Sequence, residues 1–187
     1  ELMPGVPDNQ IGLHVLALKH MVWQVKRKLL GLRILDPLML YVSGLQGQGK
    51  SSVIRKVFGD PLGELYSEQD LKDALDVRSA ETKQNYYFLL IDEIHHLDSG
   101  TVSRLKKLLT STSENSRILG TNAVMNVRNN VTVAATSNYE LMSTIYDESG
   151  MRRFWEVKLT IEEGKMVNWD NINTVSYTHL TLPTMDS

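Results

Sequence analysis

Residues Gly44 to Ser51 read Gly-Leu-Gln-Gly-Gln-Gly-Lys-Ser, directly after the apolar run Leu38-Met-Leu-Tyr-Val42. The pattern G-x-x-x-x-G-K-[ST] is a phosphate-binding loop when a buried strand precedes it and a helix follows. Both contexts are expected here, the helix over Ser51 to Phe58. Glycines let backbone N–H groups close around phosphate oxygens, at a helix N-terminus that already favours anions. Gly44, Gln46, Gly47, Gln48, Gly49, Lys50, Ser51 and Ser52 are therefore the expected nucleotide contacts. Lys50 would reach the β- and γ-phosphates of ATP, and the Ser51 hydroxyl would ligate Mg²⁺.

A phosphate-binding loop alone serves kinases, switches and motors alike, so the next carboxylates matter. Tyr86-Tyr-Phe-Leu-Leu-Ile91 reads as a continuous apolar strand and ends in Asp92-Glu93. Asp92 at the strand tip would share Mg²⁺ with Ser51. Glu93, one residue on, would polarise the water that attacks the γ-phosphate. That carboxylate favours hydrolysis over phosphoryl transfer to a small molecule. Further on, the strand Val131–Ser137 ends at Asn138, whose amide can orient the same water. Arg152 and Arg153 follow a glycine-containing loop, just before the strand Phe154–Leu159. Permanently charged, forked guanidiniums suit phosphate contacts made on a neighbouring subunit's nucleotide. His95-His96, near Asp92 and Asp98, lack further ligands at fixed spacing and are read as the start of the next helix rather than a metal site.

These residues need a scaffold, and the rest of the chain supplies its outline. At 187 residues with 42% hydrophobic content, one domain with its own core is expected. Ile11, Val15, Leu18, Val22, Val25 and Leu29 draw an apolar stripe on a long first helix, with Gly31 as its C-cap. Gly59 to Gly63 reads as a turn, and Ser67 as the cap of a short helix running to about Leu75. A helix over Gly100 to Thr110 turns Val102, Leu105, Leu108 and Leu109 inward. Residues 117–130 read as a β-hairpin projecting from the sheet. Strands alternating with helices imply an α/β fold, with a mostly parallel central sheet flanked by helices.

The net charge of −2 gives no global sign of nucleic-acid binding, so any such site must be local. Lys106, Lys107, Arg117 and Arg128 are the candidates for single-stranded DNA, as phosphate contacts flanking the hairpin. Lys26 to Lys28 reads as a solvated helix face or a subunit contact. The absence of cysteine excludes disulfides and agrees with a reducing, cytoplasmic setting. No apolar stretch approaches the ~20 residues of a membrane span. The chain starts at Glu1 and reads as a piece of something longer. Residues 175–187 resemble a translated sequencing adapter and are set aside from the fold. The expected organisation is a helical segment over 1–36, an ATPase core over 37–160, and a truncated helical start over 161–174.

Taken together, GLQGQGKS, LLIDEIHHLD, LKKLLTS, VAATSN and SGMRRFWEVKL resemble the superfamily 3 helicase domain of phage and plasmid primase-helicases. Within it the chain looks most like the group related to virulence-associated protein E, over about Leu13 to Thr160. The resemblance implies an AAA+-like P-loop fold and a 3′-to-5′ motor on single-stranded DNA. It further implies assembly as a homo-oligomeric ring, a hexamer in this class, with a primase domain upstream. Two departures stand out. The stretch Ser116 to Asn122 replaces an Arg-x-Pro-Tyr-type segment common among relatives, and the helical bundle after the last strand is cut short.

Overall fold

The computed structural model describes residues 8–76, 83–117, 124–145 and 151–160. Five strands form one sheet: β1 (Met39–Ser43), β2 (Tyr66–Gln69), β3 (Phe88–Ile91), β6 (Thr132–Ser137) and β7 (Phe154–Lys158). Their spatial order is β2-β3-β6-β1-β7, and each neighbouring pair is parallel. Strand β6 follows β3 in sequence yet lies between β1 and β3. Every residue of β1, β3 and β6 is buried. Strands covered on both faces read as unbroken apolar runs, which is why these three were visible in the sequence.

Side-chain alternation splits the core in two. Met39, Tyr41, Leu89, Ile91, Val133 and Ala135 point to one face, against α5 (Ser99–Thr110). Helix α5 buries Val102, Leu105, Leu108 and Leu109, the four expected residues. Leu40, Val42, Phe88, Leu90 and Ala134 point to the other face, against α1 (Asp8–Leu29) and the helix after the P-loop. There Phe58 stacks on Phe88, with centroids 4.2 Å apart.

Helix α1 ends as a Schellman motif around Gly31, whose φ of 75° a side chain would resist. The Leu32 N–H reaches Arg27 O at 2.8 Å and the Gly31 N–H reaches Lys28 O at 3.0 Å. The buried face is centred on Ala17, Met21, Gln24 and Val25, of which Val25 alone belongs to the predicted stripe. Leu18, Val22 and Leu29 flank it, and Val15 is exposed. The shift has a cause in Gln24, whose amide exchanges two 2.9 Å hydrogen bonds with the Leu38 backbone and so tolerates burial.

Three further expectations are corrected. The helix after the P-loop does not stop at a turn near Gly59. Helix α2 (Lys50–Ile54) passes into a π-helical turn (Arg55–Gly59) and then α3 (Asp60–Leu62), because Pro61 sits in a first turn where its missing N–H costs nothing. Ser67 caps no helix; it lies inside edge strand β2, and Asp70 caps α4 (Leu71–Ala74) by accepting from the Asp73 N–H at 2.8 Å. His95 and His96 do not begin a helix either, since α5 starts at Ser99 with Asp98 as its cap.

The hairpin exists and begins earlier than expected. β4 (Ser113–Arg117) pairs antiparallel with β5 (Val124–Arg128) as a separate ribbon. Its base is anchored. The Asn129 amide donates to Leu108 O at 2.7 Å, and buried Lys83 pairs with Glu114 at 3.1 Å. The hairpin tip and residues 161–187, including the segment set aside, lie outside the described residues. No described helix is long and apolar enough to cross a membrane.

Candidate functional site

Strand β1 delivers the P-loop at its C-terminal end, and the loop fits there only as glycine. A Cβ on Gly44 would lie 2.5 Å from Leu159 O and 2.7 Å from Gln48 Oε1. Gln48 closes the loop by accepting the Leu45 N–H at 3.0 Å. Gly49, at φ 76°, turns the chain into α2. Gln46 and Gly47 stand exposed at the crest, and Ser52 is half-buried in α2. Lys50 is buried, and its Nζ donates to Gly44 O and Leu45 O, both at 2.9 Å, and to Asn138 Oδ1 at 2.8 Å. Burial holds its pKa below the usual lysine range, against the opposite pull of Asp92 and Glu93.

Strand β3 ends at Asp92, beside the P-loop, because β6 spaces β3 from β1 by one strand. Ser51 Oγ donates to Asp92 Oδ1 at 2.6 Å, and Thr136 Oγ1 donates to the same oxygen at 2.5 Å. Partial burial raises the Asp92 pKa, yet these hydroxyls, Arg55 and the Glu93 backbone outweigh it and hold the carboxyl below its ordinary value. A hydroxyl and a carboxylate are oxygen donors of the kind Mg²⁺ prefers. Among the described residues no cluster of three or more His, Cys, Asp or Glu could hold a metal by itself. His96 Nδ1 contacts Ser143 O at 3.1 Å, and His95 sits edge-on to Tyr139.

Glu93 has φ 58°, a left-handed conformation that costs a non-glycine residue about 1–3 kcal/mol. Thr136 holds it there: its Oγ1 accepts the Glu93 N–H at 3.0 Å and its carbonyl accepts the Ile94 N–H at 2.8 Å. The exposed Glu93 carboxylate then accepts from Asn138 Nδ2 at 3.3 Å. One amide thus bridges the P-loop lysine and the second acid of the strand tip. Lys50, Ser51, Asp92, Glu93 and Asn138 are brought together at one edge of the sheet.

Arg152 and Arg153 are not. They occupy a 3₁₀ turn, Met151–Arg153, just before β7. The register pairs Met39 with Phe154 and Ser43 with Lys158. Both arginines therefore lie at the opposite edge, a full strand of about 16 Å from the P-loop. No arginine side chain spans that within one chain. They line a hollow of about 310 Å³ with His20, Arg33 and Asp36. The four basic candidates for DNA are scattered too. Lys107 lines a hollow of about 320 Å³ beside the hairpin, with Arg104, Glu114 and Asn126, and Lys106 is half-buried on α5. Arg117 belongs to β4 at the end nearer the tip, its side chain outside the described residues, whereas Arg128 sits at the base. The Arg128 guanidinium lies over Gly31, beside the carbonyl end of α1, where a cation is favoured. Lys28 also departs from the solvated reading, because its amine donates to Val131 O.

Two contributors escaped the sequence. Thr136 was visible in the strand that ends at Asn138, yet nothing local marked its hydroxyl. Arg55 grips Glu68 through bonds of 2.5 and 2.8 Å, with Tyr66 OH on the same carboxylate at 2.8 Å, and its charge bears on Asp92.

No curated protein matches the chain. Among solved structures, an A-form apo structure of the NrS-1 C-terminal region superposes with a TM-score of 0.58 at 14% identity, over 87% of this chain and 39% of that one. A second apo structure of that region gives 0.59 at 16% identity, over 84% and 39%. This chain thus spans about two fifths of the length of those structures, and at such identity the likeness establishes the fold. Residues 13–177 match the virulence-associated protein E-like domain, and with most of its length covered the chain belongs to that family.

Proposed function

We propose that this chain is the ATP-hydrolysing motor domain of a replicative DNA helicase of a phage or mobile element. It works on single-stranded DNA within a homo-oligomeric ring, with a primase domain elsewhere in the protein. The observation that carries the reading is the convergence of Lys50, Ser51–Asp92 and Glu93–Asn138 at the C-terminal edge of three adjacent parallel strands. Open α/β sheets bind ligands at that edge.

Each residue has a role there. The P-loop N–H groups and the start of α2 cradle the phosphates of ATP. Lys50 exchanges its bonds to Gly44 O, Leu45 O and Asn138 for phosphate oxygens. Ser51 and Asp92 are the ligands for Mg²⁺, which neutralises charge building on the phosphates when bound. Glu93 orients and deprotonates the attacking water, and Asn138, once free of Lys50, positions that water beside Glu93. Arg152 and Arg153 act on the nucleotide of the neighbouring subunit, since their own P-loop lies out of reach.

Phosphate release measured with and without single-stranded DNA, at low and high protein concentration, tests the proposal. Turnover is expected to rise with DNA and faster than linearly with protein, and to vanish in Lys50→Ala. Turnover indifferent to both would refute the motor reading. DNA-stimulated turnover without strand separation would favour a DNA-bound switch or loader instead.

A further inference from the structure

Arg55 stands one helical turn beyond Ser51, on the same face of α2. Its N–H closes that turn on Ser51 O and Ser52 O, so the side chains of Ser51 and Arg55 start about 5–6 Å apart. Ser51 Oγ is itself 2.6 Å from Asp92 Oδ1. A side chain as long as arginine can lay its guanidinium on Asp92 from there, and its charge already bears on that carboxylate. Guanidinium and carboxylate pair readily through two parallel bonds. Arg55 is therefore a rival to any cation that Asp92 would bind. Lys50, whose charge also meets Asp92, is occupied by Gly44 O, Leu45 O and Asn138.

The fork is held elsewhere. Nε donates to Glu68 Oε1 at 2.5 Å and Nη2 to Oε2 at 2.8 Å, so both carboxylate oxygens are used. Glu68 is aimed for this. The register of β2 sets it beside Leu90, two residues before Asp92, and Tyr66 OH donates to its Oε1 at 2.8 Å. Tyr66 is fixed in turn: its ring lies 5.9 Å from that of Phe88 and against Gly59, where a Cβ would meet it at 3.4 Å. Gly59 closes the π-helical turn that Arg55 opens, and single π turns of this kind are frequent at functional sites. Lys56, next along, pairs with Asp60 at 2.9 Å. The side chains of Arg55 and Glu68 are 47% and 31% exposed, and ion pairs so placed contribute little to stability. What the pair does is decide where one cation sits.

We propose that Glu68 is a positioning residue: it keeps the Arg55 guanidinium off Asp92, so that this carboxylate stays open to Mg²⁺. The inference rests on the nucleotide reading above, which gives Asp92 its metal.

A fluorescent ATP analogue, titrated in Mg²⁺ and again in EDTA, tests it without any turnover. The ratio of the EDTA to the Mg²⁺ dissociation constant reads how far metal and nucleotide assist each other. Glu68→Gln should cut that ratio about tenfold, the size of coupling found within one charged network, with the EDTA value and the melting temperature close to wild type. Arg55→Ala alone should move the ratio by less than about threefold, as expected of an exposed charge. Arg55→Ala/Glu68→Gln should return it to near the wild-type ratio, which also shows that losing Glu68 does not unfold the site. A ratio unchanged in Glu68→Gln would overturn the proposal. So would a double variant no better than Glu68→Gln, which would make the pair a mere clamp between α2 and β2. A double variant equal to the product of the two single effects would overturn it as well, because long-range charge alone produces that. Wild type that binds the analogue in neither medium, or no tighter in Mg²⁺, would refute the nucleotide reading and this inference with it. Wild type tightened by Mg²⁺ with a failed cycle refutes the role of Glu68 alone.

Discussion

Thr136 is 1% exposed and serves both acids of the site with a single hydroxyl, donating to Asp92 Oδ1 at 2.5 Å and accepting the Glu93 N–H at 3.0 Å. Valine would keep the shape and delete both bonds, so Thr136→Val isolates the hydroxyl. A typical net hydrogen bond contributes about 1 kcal/mol. The bond to a carboxylate would count for more in a dry interior, but Asp92 is open to solvent, so it is discounted to about the same. The expected loss is about 2 kcal/mol, or roughly 4–8 °C in melting temperature for a domain of this size. Thr136→Ser should recover most of it. Acidity gives a second readout. Asp92 titrates below its ordinary 3.8 in the folded chain, so its stabilisation is complete above that value and fades as pH falls through the folded one. Without Thr136 the depression shrinks, and the gap between wild type and Thr136→Val should narrow on acidification below about pH 4. Calorimetric melting from pH 7 downwards measures both effects. A melting shift under about 1 °C, or a gap that widens in acid, would refute the assignment of Thr136 as the residue that organises Asp92 and Glu93.

Gly44→Ala places a methyl 2.5 Å from the Leu159 carbonyl, so β7 and the P-loop must separate; a folded protein with nucleotide affinity reduced about tenfold or more is expected by fluorescence titration. Arg152→Ala and Arg153→Ala should each slow phosphate release without weakening nucleotide binding, and loss of binding in either would place it in the chain's own site. Lys28 is depressed to about 8, first by burial and then by Arg128, so the unfolded chain binds the extra proton between that value and the usual 10.5. The melting temperature of wild type should therefore rise relative to Lys28→Met across that window, and parallel curves would show that Lys28 is solvated after all.

The half of the candidate site gathered around Lys50 was legible because each of its residues follows a buried strand. Lys50 follows β1, Asp92 and Glu93 follow β3, and Asn138 follows β6, so in every case an apolar run announces the polar group. What stayed hidden depends on which strands lie side by side. The hydroxyl of Thr136 matters only because β6 inserts between β1 and β3, and no local pattern encodes that order. Strand β2 escaped because it is a four-residue edge strand of mixed polarity, where a serine before acidic residues looks like a helix cap. The buried face of α1 was misplaced because Gln24 is polar by type yet satisfied by the Leu38 backbone.

The arginines carry the same lesson further. As a dipeptide, Arg152-Arg153 says only that phosphate contact is chemically feasible. The pairing of Phe154 with Met39 then puts both side chains at the edge of the sheet remote from Lys50. A residue chosen for its chemistry is thereby set apart from the P-loop of its own chain, and on the proposed function the triphosphate it serves belongs to another copy. Under that proposal register, more than residue type, is what would make the domain depend on a neighbour.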